Sequence, residues 1–115
     1  MKISHMIYDI ITIYFINKDN AYHSSIKTCL RGTVGIVSQK ASNYYFFGKH
    51  KEIDDDAIKN LLNQLVKKKM IQPVCNGKRY YYIPTDFDQA RKRYQWMIRQ
   101  NLILKYSVGE NTINV

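Results

Sequence analysis

Along residues 54–69 the apolar positions Ile58, Leu61, Leu62, Leu65 and Val66 recur at the spacing that gathers side chains on one side of an α-helix. Lys59, Asn60, Asn63, Gln64, Lys67 and Lys68 take the other side. Asp54 is a good N-cap, Asp55 and Asp56 suit the positive end of the helix dipole, and the lysine run suits the negative end. The stretch predicts a helix with one apolar face and one face of amides and cations. Such a face is often simply solvated, so its meaning depends on its surroundings.

Ile3, Met6, Ile7, Ile10, Ile11 and Tyr14 keep helical spacing and predict a first helix over 3–16 with one buried face, ended by the polar residues 17–20. Ser24 or Ser25 can cap a short second helix that turns Ile26, Cys29 and Leu30 inward and closes at Gly32. Thr33 can cap a further turn through residue 40. Tyr44, Tyr45, Phe46 and Phe47, ended by Gly48, predict a loop or short strand pinned to the core.

After the two-faced helix, residues 70–75 and 78–83 read as strands joined by Asn76-Gly77, the pair favoured in type I′ hairpin turns. Pro73 suits an edge strand. Pro84 stops the hairpin, and Thr85 or Asp86 caps a last helix with Phe87, Ala90, Tyr94, Met97 and Ile98 inward. That helix also carries Arg91, Lys92 and Arg93. Residues 1–105 are expected to form one domain, with 106–115 as a flexible tail. Three helices followed by a basic β-hairpin make an α+β winged helix with an extra C-terminal helix, and the two-faced helix occupies the recognition position.

Charge sharpens this picture. The formal net charge is +9, and from Ala57 onward eleven basic residues stand against three acidic ones, Asp86, Asp88 and Glu110. Such a field attracts polyanions. Lys2 and the apolar run to Ile16 imitate a signal sequence, but Asp9 interrupts the run and no small-residue cleavage site follows. The run is too short to span a bilayer. A soluble intracellular protein, not a membrane protein, is the expectation.

Little in the chain suggests catalysis or metal binding. Cys29 and Cys75 lack CxxC partners and are expected as free thiols. His5, His23 and His50 have no ligand at i+3 or i+4 and are expected on the surface or in loops. The Asp54-Asp55-Asp56 run lacks the glycine and terminal glutamate of a calcium loop. No metal, no cofactor and no enzymatic activity are therefore expected.

Specific spacing narrows the class. Leu30-Arg31-Gly32-Thr33, then Phe47-Gly48, then Gln64-Leu65 occur in order, and with them residues 6–83 resemble the RQC domain, the winged-helix module that follows the motor in RecQ-family DNA helicases. The Phe-Gly to Gln-Leu interval looks the same as in Werner-type domains, and the preceding interval is about one residue shorter. The resemblance implies that Arg31 and Thr33 hold DNA phosphates near a helix start, where backbone N–H groups and the dipole favour an anion. Lys59 matches a phosphate-contacting lysine on the recognition helix. Tyr80 falls where such domains carry a hairpin aromatic that stacks against the terminal base pair. Thr33 replaces the usual serine and keeps its hydroxyl, and Lys40 stands in for a family arginine that the shorter interval leaves unmatched. With an Asn76-Gly77 turn, Tyr80 would lie a few residues down the strand from the tip. The GxxxxGK[ST] loop and the zinc cysteines of a whole helicase are absent, so the chain resembles an accessory domain without its motor.

The expected function is a structure-selective DNA reader for duplex ends, forks or other non-B structures. Arg31, Thr33, Lys40, Lys59, Lys78 and Arg79 would hold phosphates, and Tyr80 would stack. A sequence-specific winged-helix regulator is the alternative, in which Asn60, Asn63 and Gln64 read base edges and the chain dimerises on two half-sites. A third reading is a protein-interaction winged helix whose basic face docks an acidic partner. The structure-selective reading expects a monomer.

Overall fold

The computed structural model describes residues 2–33 and 44–103. The turn predicted after Thr33, Lys40 with it, and the 106–115 tail lie outside the described residues. Helix α1 (Ile3–Ile16) is followed by strand β1 (Ala21–Tyr22), helices α2 (His23–Arg31) and α3 (Asp55–Lys67), strands β2 (Ile71–Asn76) and β3 (Arg79–Pro84), and helix α4 (Phe87–Arg99). The strands form one antiparallel sheet in the order β1-β3-β2. The class is α+β, with a helix after the hairpin as the sequence predicts.

Helix α1 differs from the expectation of one buried face. From Met6 to Ile13 every residue is buried, because α2, α3, α4, β1 and β3 all pack around it. Ile26, Leu30, Phe46, Ile58, Leu62, Leu65, Ile71 and Met97 are among the other residues of the core. Burying an aliphatic side chain of this size contributes roughly 1.5–3 kcal/mol, so α1 is scaffold over most of its length.

Helix α2 starts earlier than Ser24 or Ser25 would place it. Ala21 pairs with Tyr82 and Tyr22 with Tyr81, and the chain passes straight from β1 into the helix at His23, with Tyr22 at the N-cap position and no side-chain cap. Its end follows the expectation. Gly32 adopts φ +73°, its N–H donates to the Cys29 carbonyl at 3.3 Å, and the Thr33 N–H donates to the Thr28 carbonyl at 3.1 Å, the Schellman pattern.

The aromatic segment from residue 44 to 50 is a loop fastened to that helix end. Gly48 N–H donates to the Cys29 carbonyl at 3.0 Å and His50 N–H to the Leu30 carbonyl at 2.9 Å, while the Phe46 ring fills the core at 1% exposure. A Cβ on Gly32 would sit 2.8 Å from the Gly48 Cα. The glycines of two separate sequence motifs thus meet because Gly32 has no side chain, whereas a Cβ on Gly48 would make only ordinary contact with Gly32.

The hairpin is displaced by one residue from its predicted turn. Asn76 pairs with Arg79, leaving Gly77-Lys78 as the loop; Gly77 has φ +66° and Lys78 lies outside the left-handed region, the signs of a type II′ turn. Asn76 stays in the strand, where its amide donates to the Tyr22 hydroxyl at 2.6 Å. A contact with β1 outweighs the local Asn-Gly preference.

Candidate nucleic-acid interface

Helix α3 places the two-faced pattern as expected. Asp54 accepts from the Ala57 N–H at 2.8 Å, Asp55 and Asp56 occupy the first turn, and Lys67 the last. Ile58, Leu62 and Leu65 are buried, and Lys59, Asn60, Asn63, Gln64, Lys67 and Lys68 are exposed. Lys59, Asn63 and Lys67 follow one another at i, i+4 and i+8, so they form a single stripe. Among the described residues no carboxylate forms an ion pair with that stripe.

The first turn of α2 links α3 to the hairpin. The Lys27 ammonium lies 2.9 Å from the Asp55 carboxylate, and His23 Nε2 lies 3.3 Å from the Asp55 carbonyl. Lys27, first by hydrogen bonding and then by its charge, holds the Asp55 carboxyl below its ordinary range. From the other side, an Arg79 guanidinium nitrogen lies 3.4 Å from Ser24 Oγ. The start of α3 and the start of β3 therefore flank the same N-terminal part of α2.

Arg79 is held in place from below. Its guanidinium carbon lies 3.8 Å from the centre of the Tyr22 ring, and Tyr81 meets Tyr22 edge-on with ring centres 5.8 Å apart. The Tyr22 hydroxyl takes hydrogen bonds from Asn20 at 3.4 Å and Asn76 at 2.6 Å, which lower its pKa, with Arg79 adding to the effect. Lys78 is exposed in the turn and Tyr80 is 57% exposed on β3.

Arg31 and Thr33 have structural duties at the predicted phosphate segment. Arg31 Nε donates to the Ile53 carbonyl at 2.8 Å, tying the end of α2 to the residues leading into α3. The Thr33 amide closes α2, as described above, and the residue is exposed. The segment holding Lys40 lies outside the described residues.

Sequence reasoning missed two clusters. One is the Tyr22–Arg79–Asn76 group, whose only sequence signal is a tyrosine directly before α2. The other is buried: Asp9, 1% exposed, receives bonds from Arg93 Nε at 2.9 Å, from a second Arg93 nitrogen at 2.8 Å and from the Tyr45 hydroxyl at 2.5 Å. Arg93 also lies 4.4 Å from the centre of the Trp96 ring. Burial, then the hydrogen bond to Asp9, pushes the Tyr45 pKa well up, and Asp9 raises that of Arg93. A lone carboxylate on an apolar helix was the available signal, because a buried charge requires a partner.

Two concavities, of about 520 Å³ beside Phe15, Ile16 and Tyr94 and about 620 Å³ beside Gly48 and His50, contain none of the predicted phosphate contacts. Cys29 is a buried free thiol and Cys75 an exposed one. Among the described residues no helix is long and apolar enough to cross a membrane, and no three metal-ligating side chains converge. Comparison with protein families, with curated proteins and with solved structures finds no match for the chain.

Proposed function

We propose that the chain is a structure-selective DNA-binding winged helix, related to the RQC domains, that holds duplex ends or junctions through phosphate contacts. The observation that carries this reading is the α3 stripe, where Lys59 and Lys67 flank Asn63 on an exposed face with no ion-paired acid among the described residues. The element order and the β1-β3-β2 sheet support the winged-helix part. The contact of Gly32 with Gly48 supports the relation to RQC domains, since it brings together the two glycine motifs on which the resemblance rests.

In this reading Lys59, Lys78 and Arg79 hold phosphates, Asn63 adds a hydrogen bond from the same helix face, and Lys40 contributes from the segment after α2. Arg31 and Thr33 act near the α2 end, with Arg31 retaining guanidinium N–H groups beyond the one that bonds Ile53. Tyr80 stacks on the terminal base pair. Phosphate contacts position without reading sequence, so affinity depends steeply on salt and weakly on sequence.

The test is binding of the intact chain to a forked duplex, a blunt duplex, single strands and a G-quadruplex of matched length, with Tyr80→Ala beside the wild type. A preference for forks or blunt ends that the variant loses is the expected result. Tight binding to one sequence by a dimer would replace this reading with a sequence-specific regulator. Absence of all nucleic-acid binding would leave a protein-interaction winged helix.

A further inference from the structure

The register sorts the sheet into two unlike faces. Opposed residues of an antiparallel ladder point to the same side. One side carries Ala21, Tyr82 and Pro73 in a row, with Ile71 and Pro84 below and Cys75 and Tyr80 above. Ala21 and Ile71 are buried in the core and Tyr82 packs against it, so this is the inner side, and Tyr80 projects from it beyond the core's edge. The other side carries Tyr22, Tyr81 and Val74 in a row, Gln72 opposite Ile83 below, and Asn76 opposite Arg79 above. All seven are half-buried or exposed, and Tyr22, Val74, Tyr81 and Ile83 neither belong to the core nor pack against it.

This outer side has a definite chemical character. Two tyrosine rings and two aliphatic side chains make its surface, the Arg79 guanidinium is stacked on one ring, Lys78 stands at the turn, and none of the seven residues is acidic. Aromatic rings on an open sheet are suited to stacking unpaired bases, while adjacent cations take the phosphates between them. Paired bases in a duplex hide their faces from such a surface. Charge complementarity therefore selects a polyanion, and the rings select one with exposed flat faces.

We propose that the outer face of the sheet is a stacking platform for a single nucleic-acid strand, with Tyr81 as the base contact and with Arg79, held on the Tyr22 ring, and Lys78 as phosphate contacts. The inference rests on the nucleic-acid reading above and goes beyond it, because Tyr80 serves the paired end from the inner side. At a fork, the unpaired strand lies across β1, β3 and β2 while α3 holds the duplex.

The experiment measures affinity of the intact chain for a short thymidine oligonucleotide, an abasic oligonucleotide of equal length and charge, and a blunt duplex, for the wild type and Tyr81→Thr. Threonine keeps strand propensity and removes the ring. The thymidine strand should bind about tenfold tighter than the abasic one, and Tyr81→Thr should abolish that difference while changing duplex affinity by less than about twofold. Equal binding of the two strands by the wild type overturns the platform, as does an equal loss on both strands in the variant. If the duplex binds and the thymidine strand does not, the platform alone fails. If neither binds, the nucleic-acid reading fails with it. Tyr22→Leu is the second variant, and it should lower thymidine affinity in the same direction.

Discussion

Two arginines in this molecule lie over aromatic rings and end up with opposite assignments. Arg93 covers Trp96 and delivers its charge inward, to a carboxylate that is 1% exposed. Arg79 covers Tyr22 and meets only a serine hydroxyl, with no carboxylate beside it among the described residues. The ring fixes the guanidinium in both places. What differs is the neighbour: a buried anion consumes the charge as a structural bond, whereas a ring with hydroxyls and amides leaves it directed at solvent and at any external anion.

The largest expected effect is on the inner site. Arg93→Met leaves Asp9 buried without its main partner and should destabilise the fold by about 3–4 kcal/mol in urea unfolding, near the low end for a broken buried pair because Arg93 is itself 27% exposed. Arg79→Met should cost less than about 1 kcal/mol, the scale of an exposed cation–π contact. Equal losses would erase the distinction between the two arginines. Next comes Gly32→Ala, which puts a Cβ against the Gly48 backbone at positive φ and loosens the loop that carries Tyr45 to Asp9. A loss of about 2–3 kcal/mol is expected, measured the same way.

Alkaline pH probes the same joint. Burial pushes the Cys29 thiol from an ordinary 9.0 up to about 11, while its contact with Tyr14 acts in the opposite direction. A raised pKa means that the folded state keeps a proton which the unfolded chain has released. The contribution is thus intact below pH 9 and is lost as pH rises to about 11, amounting to roughly 3 kcal/mol. Tyr45 adds a loss of the same sign at higher pH. Unfolding midpoints followed from neutral pH to pH 11 should fall, and Cys29→Ala should flatten the first part of that fall. Smaller than the loss in Gly32→Ala is that of Tyr45→Phe, which removes one of the bonds to Asp9 and should cost about 1–2 kcal/mol in the same unfolding assay without altering DNA affinity.

The parts legible in the sequence were those set by local periodicity and capping. Helix α1 has the predicted bounds, α3 is capped by Asp54, and α4 by Asp86, which accepts from the Gln89 N–H at 3.0 Å. The exposed α3 stripe follows from the same pattern. What escaped depends on contacts between distant segments. A two-residue β1 has no periodicity to read, yet it sets the start of α2 and, through Tyr22 and Asn76, accompanies the hairpin turn at Gly77-Lys78. Asp9 looked like an interruption of an apolar run because its partners lie 36 and 84 residues away. Arg31 could be matched to a phosphate site from its motif, but its bond to Ile53 depends on where the α3 approach passes.

The most direct test of the account is the salt dependence of binding to a forked duplex for the wild type, Arg79→Met, Lys59→Gln and Arg93→Met, under conditions where all four are folded. The account predicts a steep linear fall of log affinity with log salt, a slope reduced by about one unit in Arg79→Met and in Lys59→Gln, and an unchanged slope in Arg93→Met. A salt-independent affinity, or a slope that Arg93→Met reduces as much as Arg79→Met does, would contradict it.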